Sequence, residues 1–330
     1  MAGSKLSIII PVFNVQNYLK QCINSFHLCN KYKSTDVEII LIDDGSTDES
    51  KNICDDLAKK YEIVKSIHIQ NSGQSVARNI GLEHANGRWI LYVDSDDIVR
   101  NGYIEWALSV INDVGSNDIV MFDFKPFISL DSMTKYNSLL QYNSEKLKVV
   151  TKDNAMYYLT TSKYGNYLWN KIFPREVLEQ VKLPEGQIYE DIATVYKYFE
   201  ACNKVRIYKD VVYYYRQRSG SSVHLINPID QYKSMIEAVK SRIAQLEFFY
   251  NNRYFKAYKN AKYGLMLNSI SLIKITLKNG FQKTSEFYKA RLFLKNYSCN
   301  LKQDGLKRYV FLRIYKILPQ FCEWLMRKNR

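Results

Sequence analysis

The feature that most constrains this fold is a series of short apolar runs, each followed by an amphipathic stretch. Runs of this length fit buried strands, and the stretches between them have the period of covering helices. Because continuous apolar strands that alternate with helices form parallel sheets covered on both faces, the pattern predicts an α/β fold. The predicted strands are residues 6–10, 37–42, 64–69, 89–93 and 118–122, with helices over 16–28, 48–61, 74–84 and 102–111.

Polar residues collect immediately after four of these strands. In an open α/β sheet, the carboxyl ends of the strands border the crevice in which ligands bind. We therefore expect four segments that are distant in sequence to converge on one site. They are Asn14, the Asp-Asp-Gly-Ser of 43–46, the Asn-Ser-Gly of 71–73 and the Asp-Ser-Asp-Asp of 94–97.

The Asp94-Ser95-Asp96 triplet predicts a cation site. Alternate residues of an extended chain point to the same side, so both carboxylates could face one ion. Mg²⁺ and Mn²⁺ prefer oxygen ligands, and substrate phosphates often complete their coordination. Such triplets are common in surface loops, and the position directly after an apolar strand is what favours a metal site here. No Gly-rich dinucleotide motif or P-loop occurs at a strand end.

Four segments in this order and spacing resemble the family 2 glycosyltransferases with the GT-A fold, over about residues 5–225. The resemblance implies an inverting transferase for bacterial surface polysaccharide synthesis. It would move a hexose or N-acetylhexosamine from a nucleotide diphosphate sugar, most often UDP-linked, to a glycan acceptor, with Mn²⁺ or Mg²⁺ as cofactor. The segments are 7–14 (SIIIPVFN), 43–48 (DDGSTD), 71–79 (NSGQSVARN) and 94–97 (DSDD).

The resemblance also implies roles for individual residues. Asp44 would contact the base, Arg78 would hold the nucleotide half, and Asp94 and Asp96 would bracket the ribose, the diphosphate and its metal. Phe13 stands where the family usually has Tyr. The implied nucleotide-sugar contacts are Pro11, Phe13, Asn14, Asp43, Asp44, Asn71, Gly73, Arg78, Asp94, Ser95, Trp169, Asn170, Lys171, Arg216 and Arg218. The implied metal ligands are Asp94, Asp96 and His224, the last alternatively a diphosphate donor.

In the second half, the adjacent acids Glu190 and Asp191 resemble the family's catalytic-base motif. The match puts the base on Asp191, with Glu190 orienting it or the acceptor. Acids at a helix start are also favoured by the helix dipole alone, so a purely structural role stays open. Trp169 offers an apolar face for a sugar ring, or is simply a core residue.

The charge of the chain is unevenly distributed. Its net charge is +14, and residues 230–330 alone hold 21 Lys+Arg against 6 Asp+Glu. We therefore predict a catalytic domain over 1–225 and a basic helical region over 226–330. The excess suggests an anionic partner such as a membrane surface, a phosphorylated lipid or nucleic acid, and a solvated basic face is the simpler alternative.

Residues 307–319 combine apolar residues at helical spacing with Lys and Arg, which is typical of an interfacial membrane helix. The alternative is a helix packed on the catalytic domain. We expect a cytoplasmic protein peripherally attached to the inner face of the plasma membrane, a polyprenyl-linked glycan acceptor and no nucleic-acid partner.

Two further expectations follow from composition. Six cysteines without a CxxC pair predict reduced thiols. The sequence contains no run of about 18 apolar residues, so we expect no membrane-spanning helix. The competing functional hypothesis is a non-catalytic GT-A-like scaffold or glycan-binding subunit of a polysaccharide assembly complex. Loss of Asp94, Asp96 or Asp191 would favour it, and all three are present.

Overall fold

A computed structural model describes residues 5–28, 32–129, 138–218 and 227–328 of the chain. The chain divides into two compact units. The first comprises Met1–Gly186 with Thr194–Arg218, and the second comprises Gln187–Ala193 with Ser219–Arg330. The five cysteines in the described residues are all free thiols.

A nine-stranded mixed sheet is the centre of the first unit, with the strand order β3-β2-β1-β4-β8-β6-β9-β5 and β7 on β9. Strands β1 to β4 are parallel neighbours, which confirms the predicted parallel core. The strands are β1 Leu6–Val12, β2 Val37–Asp44, β3 Val64–Ile69, β4 Trp89–Tyr92, β5 Ile98–Val99, β6 Asp118–Phe127, β7 Leu147–Val150, β8 Lys171–Pro174 and β9 Lys204–Arg216.

Helices pack against this sheet and begin close to the predicted positions. Helix α3 has the predicted bounds, whereas α1 is shorter than predicted and covers only seven residues. The helices of this part of the chain are α1 Leu19–Ser25, α2 Ser50–Lys60, α3 Gln74–His84, α4 Tyr103–Asn112, α5 Lys152–Leu159, α6 Arg175–Leu178 and α7 Glu190–Ala201.

The second half of the sheet departs from the sequence-based expectation. Strand β8 is antiparallel to both β4 and β6, and β9 is parallel to β6. The predicted strand at 118–122 extends to Phe127, and β7 lies where no strand was predicted. These strands depend on partners far away in sequence, so local apolar patterns did not reveal them.

The second unit is helical after residue 226, as predicted. Two long helices, α8 and α9, pack on each other, and α10 and α13 pack on α9. No helix among the described residues is both long and apolar enough to cross a membrane. The helices are α8 Pro228–Asn251, α9 Phe255–Asn279, α10 Ser285–Asn296, α11 Leu301–Asp304, α12 Leu306–Ile317 and α13 Pro319–Lys328.

A buried carboxylate ties the first strands together. Glu38 of β2 accepts hydrogen bonds from Ser7 Oγ at 2.6 Å, Lys65 Nζ at 2.7 Å and the backbone N–H of Asn86 at 2.6 Å. Burial raises the pKa of Glu38, but these hydrogen bonds outweigh it and the pKa is lowered overall. The ionised side chain therefore stabilises the junction of β1, β2, β3 and the turn before β4.

We predict that Glu38→Gln destabilises the protein by about 1–3 kcal/mol, because the amide loses one acceptor oxygen amid several buried donors. Denaturant unfolding measures the effect, and the exposed Glu62→Gln is the control, expected to stay within about 0.5 kcal/mol. The lowered pKa means that the contribution of Glu38 is present above its ordinary value of 4.5 and is lost as pH falls through the folded value. Equal stability of the two variants would contradict this role.

Candidate active site

The loops after β1, β2 and β3 interlock at one edge of the sheet. Asn14, with a left-handed φ of 50°, accepts a hydrogen bond from Thr47 N–H at 2.8 Å through Oδ1. Asp44 accepts from the N–H groups of Ser72 at 2.7 Å and Gly73 at 2.9 Å. The predicted convergence of these segments is therefore present in the structure.

The close approach of the β2 and β3 loops requires a glycine. Gly45 has a φ of 69°, and a Cβ there would come within 2.7 Å of the backbone N of Asn71. Another residue would have to adopt this unfavourable conformation and push the loop away. Both carboxylate oxygens of Asp44 hold the 72–73 backbone, so its predicted contact with the base remains a prediction.

Behind this loop pair, a histidine bridges two carboxylates. His68 Nδ1 lies 3.0 Å from Asp43 Oδ2, and its Nε2 lies 2.8 Å from Asp55 Oδ1. Asp43 Oδ1 in turn accepts from Ser46 N–H at 3.1 Å and so shapes the β2 turn. Burial lowers the pKa of His68, but the hydrogen bonds to Asp55 and Asp43 outweigh it and the pKa is raised.

The segment after β4 is a turn, which corrects the assumption of an extended Asp94-Ser95-Asp96. Asp97 N–H donates to the Asp94 carbonyl at 3.0 Å, and Ser95 is buried. Asp94 Oδ1 receives Arg78 NH2 at 2.9 Å, whereas Asp96 Oδ2 receives Arg218 Nε at 2.5 Å. The two carboxylates are thus paired with different arginines.

Arg216 joins the end of β9 to this turn. Its Nε donates to the Asp96 carbonyl at 2.6 Å, and its NH2 donates to Gln21 Oε1 at 3.0 Å. The guanidinium lies over the rings of Tyr18, 5.0 Å from the centroid, and Phe127, at 4.6 Å. Arg216 is therefore held in place, as a preorganised cation for a phosphate would have to be.

Asp97 belongs to the predicted 94–97 segment, but the sequence analysis gave it no role of its own. It has no exposed surface, and its carboxylate accepts from Tyr213 Oη and from Arg216 N–H, each at 2.6 Å. Tyr213 Oη also accepts from Asp94 N–H at 3.1 Å. Burial, with the charges of Asp94 and Asp96 nearby, raises the pKa of Asp97 well above its ordinary value. No sequence signal distinguished this inward-facing carboxylate from its neighbours.

The oxygen donors of this turn fit a hard divalent cation. Asp97 is excluded as a ligand because both its oxygens serve β9, which leaves Asp94 and Asp96, both partly exposed. In the described parts of the chain, no group of three or more His, Cys, Asp and Glu side chains is arranged around a metal position. One or two carboxylates suffice for Mg²⁺ when water and substrate phosphates supply the remaining ligands. His224 lies outside the described residues.

The predicted sugar-pocket residues lie in the core. Trp169 is 5% exposed and stacks on Tyr213 and Tyr215, at 4.7 and 5.4 Å between centroids. Asn170 and Lys171 have no exposed surface, and the Lys171 ammonium donates to the Tyr167 carbonyl at 2.5 Å. In this arrangement all three support the loop before β8, and direct contact with a sugar remains a prediction.

The remaining predicted residues occupy three places. Pro11 is buried within β1, whereas Phe13 is 45% exposed beyond its end. Glu190 and Asp191 form the first turn of α7 in the second unit, where Asp191 Oδ1 accepts from Ile192 N–H at 2.7 Å. Tyr189 just before them has a left-handed φ of 69°.

Comparison with known proteins identifies the type of domain. Residues 7–181 match the protein family described as "Glycosyl transferase family 2". Glycosyltransferase GlyA of Streptococcus pneumoniae serotype 4 is 30% identical over 67% of this chain, and the match spans 32% of that relative, about a third of its length. Glycosyltransferase GlyG of the same organism is 27% identical over 72% of this chain and 79% of the relative.

A solved structure shares the fold. The crystal structure of Staphylococcus aureus TarS 1-349 in complex with UDP-GlcNAc superimposes with a TM-score of 0.59. The alignment covers 98% of this chain and 91% of that one, at 20% identity. At this identity the likeness establishes the GT-A fold predicted from the sequence.

We predict that His68→Asn lowers stability more at about pH 6 than at about pH 9. A histidine whose pKa is raised in the folded protein stabilises the fold below its ordinary pKa, and this contribution is lost as pH rises through its pKa in the folded protein. The ordinary value is 6.5, and the pKa in the folded protein is higher. We expect a difference of roughly 1 kcal/mol or less, the scale of a partly exposed ion pair. Thermal unfolding at both pH values measures it, with the exposed His84→Asn as the control. A loss independent of pH would exclude a charged bridge.

Proposed function

Because this chain belongs to glycosyl transferase family 2, we propose that it is an inverting, metal-dependent transferase acting on a nucleotide diphosphate sugar. The observation that carries the proposal is the cluster at the tip of β4. There, Asp94 and Asp96 meet Arg78, Arg216 and Arg218 beside the interlocked loops of β1, β2 and β3. Carboxylates for a cation and arginines for phosphates are the two groups that a sugar diphosphate requires.

In this proposal the donor is a UDP-linked hexose or N-acetylhexosamine. The base and ribose would bind at the loops of Asn14, Asp43, Asp44, Asn71 and Gly73. The UDP-GlcNAc complex of TarS, a protein of the same fold, supports UDP as the carrier. Glycan transfer for bacterial surface polysaccharides is supported by relatives such as the minor teichoic acid biosynthesis protein GgaB of Bacillus subtilis, 28% identical over 66% of this chain.

The proposed reaction requires a base for the acceptor and positive charge for the leaving group. Asp191 takes the proton of the acceptor hydroxyl while the hydroxyl oxygen attacks the anomeric carbon of the donor sugar. The nucleotide diphosphate leaves from the opposite side, so the configuration is inverted. Arg78, Arg216 and Arg218 supply positive charge toward the leaving phosphates. When bound at Asp94 and Asp96, Mn²⁺ or Mg²⁺ would add Lewis-acid neutralisation of the same charge. His224 would contribute a further ligand or donor.

Two features support Asp191 as the base. It lies partly exposed in the first turn of a helix, so its side chain is not sealed in the core. The left-handed φ of Tyr189 is costly for a residue with a side chain, and such strain is concentrated at functional sites. Glu190 would orient Asp191 or the acceptor.

We further propose that the acceptor is a polyprenyl-linked glycan and that the enzyme works in the cytoplasm at the inner face of the plasma membrane. The division into a catalytic domain over 1–225 and a basic region over 226–330 is part of this proposal. The net charge of the first 229 residues is −1, so attraction to an anionic surface would come from the basic region.

We predict that Asp96→Asn abolishes transfer and that Asp94→Asn weakens it strongly, with melting temperatures close to the parent's. A chelator should have the same effect on the parent, and added Mn²⁺ or Mg²⁺ should restore activity. Donor hydrolysis across a panel of nucleotide sugars is the assay, with the exposed Asp56→Asn as the control. Full activity in excess chelator would exclude the metal mechanism, whatever the mutations do.

For Asp191→Asn we predict a turnover loss of at least about 10²–10⁴-fold, because the variant keeps its shape but cannot accept the proton. Nucleotide affinity, measured by calorimetry, should barely change. Glu185→Gln, an exposed carboxylate shortly before α7, is the matched control and should keep full turnover. Normal turnover of Asp191→Asn would instead favour a base elsewhere. A parent protein that binds nucleotide sugar but transfers nothing would favour the non-catalytic scaffold.

A further inference from the structure

We propose that one face of α12 and α13 enters an anionic lipid bilayer and anchors the protein at the membrane interface. The inference deepens the proposed function, because it names the surface that would bring the enzyme to a lipid-linked acceptor. It is nevertheless tested by vesicle binding, which requires no catalysis. Its basis is the pattern of exposed and buried side chains in residues 301–328.

Helix α12 carries an apolar stripe that faces away from its own unit. At about 100° per residue, the four exposed aliphatic residues of α12 fall within an arc of about 80°. Leu312 and Tyr315, the fully buried residues of the helix, lie on the opposite side. The stripe consists of Leu306, Val310, Ile314 and Ile317, with 68, 46, 38 and 78% of their surfaces exposed.

Helix α13 repeats this arrangement with aromatic residues. Cys322 and Met326 are buried, whereas Phe321, Trp324 and Leu325 are exposed. The rings of Phe321 and Trp324 stack with their centroids 6.0 Å apart, and Lys328 Nζ lies 4.2 Å from the Trp324 centroid. Tryptophan beside a basic residue is characteristic of side chains that lie at the headgroup level of a membrane.

The most exposed charges of this segment are all positive. Residues 301–328 contain seven Lys+Arg and two acids, Asp304 and Glu323. Asp304 is 1% exposed and accepts from Tyr297 Oη at 3.0 Å. Glu323 accepts from Arg291 Nε at 2.5 Å and Tyr315 Oη at 2.9 Å. Asp304 is therefore buried and Glu323 is paired with Arg291, so neither carboxylate is freely exposed beside the surface cations.

The cations flank the stripe of α12. On the helical wheel Lys307 falls beyond one edge of the arc, and Arg313 and Lys316 fall beyond the other. Lys307 and Arg313 are exposed, and Lys316 is partly exposed. A bilayer that contains anionic lipid complements both features, since acyl chains accept the apolar stripe and headgroup phosphates accept its basic edges. Nucleic acid would complement the cations alone.

Flotation of the full-length protein with vesicles tests the proposal, using equal parts of phosphatidylglycerol and phosphatidylcholine against phosphatidylcholine alone. The double variant Val310→Glu/Ile317→Glu should lose at least about tenfold in binding to the anionic vesicles, because two apolar side chains no longer enter the bilayer. The matched control is Leu292→Glu on α10, which replaces an aliphatic residue that is 63% exposed. It should bind like the parent, and all variants should keep the parent's melting temperature.

A second variant, Lys307→Gln/Arg313→Gln/Lys316→Gln, should weaken binding to anionic vesicles and flatten its dependence on salt, because exposed charges are screened. Retained binding of the Val310→Glu/Ile317→Glu variant would overturn the proposal. The proposal would also be overturned if the parent protein does not bind vesicles but forms dimers that this variant disrupts. It would be overturned as well if the parent binds polynucleotide in preference to vesicles. Donor hydrolysis measured without vesicles separates the two hypotheses. Its absence in a protein that still binds vesicles refutes only the proposed function, and hydrolysis by a protein that does not bind the anionic vesicles refutes only the anchor.

Discussion

The concentration of three carboxylates in four residues is the constraint on which the site depends. Two unit charges 4 Å apart repel by about 1 kcal/mol in water and by about 4 kcal/mol near a protein surface, so the cations and hydrogen-bond donors around Asp94, Asp96 and Asp97 stabilise this turn. Arg78 of α3 pairs with Asp94. Arg216 at the end of β9 and Arg218 just after it contact Asp96. The mixed sheet makes this possible, because β5 follows the turn directly and pairs with β9 at Tyr213 and Tyr214.

The part of this arrangement that is local in sequence could be predicted. Strands β1, β2 and β4 are short, fully buried runs, whereas β3 is only partly buried. The polar tips of all four converge because parallel strands end at one edge. The glycines of these loops are also local features, and Gly45 and Gly73 adopt positive φ values, which glycine tolerates better than other residues. The family resemblance then connected these tips to nucleotide-sugar chemistry, and the family match agrees with it.

What could not be predicted arises from long-range pairing. The direction of each carboxylate at 94–97 follows from a turn whose stability comes from β9, more than 100 residues later. Trp169 and Lys171 are residue types that often bind ligands, but both side chains are buried here. Their burial depends on the packing of β8 and β9, which the local sequence does not show. The same reasoning applies to Asp304 and Glu323. The sequence shows two acidic residues, but only the structure shows that hydrogen bonds within the unit engage their carboxylates.

The contacts of Arg218 suggest why donor and cation should bind together in the proposed reaction. Its Nε holds Asp96 Oδ2 at 2.5 Å, so a cation at Asp96 must compete with an arginine already in place. A diphosphate offers Arg218 several charged oxygens in place of one carboxylate oxygen, and paired hydrogen bonds to phosphate are among the strongest that arginine makes. Donor phosphates would therefore draw Arg218 from Asp96 and leave that carboxylate for the ion. Arg216 would stay in place, because Gln21, Tyr18 and Phe127 hold it independently of Asp96 Oδ2.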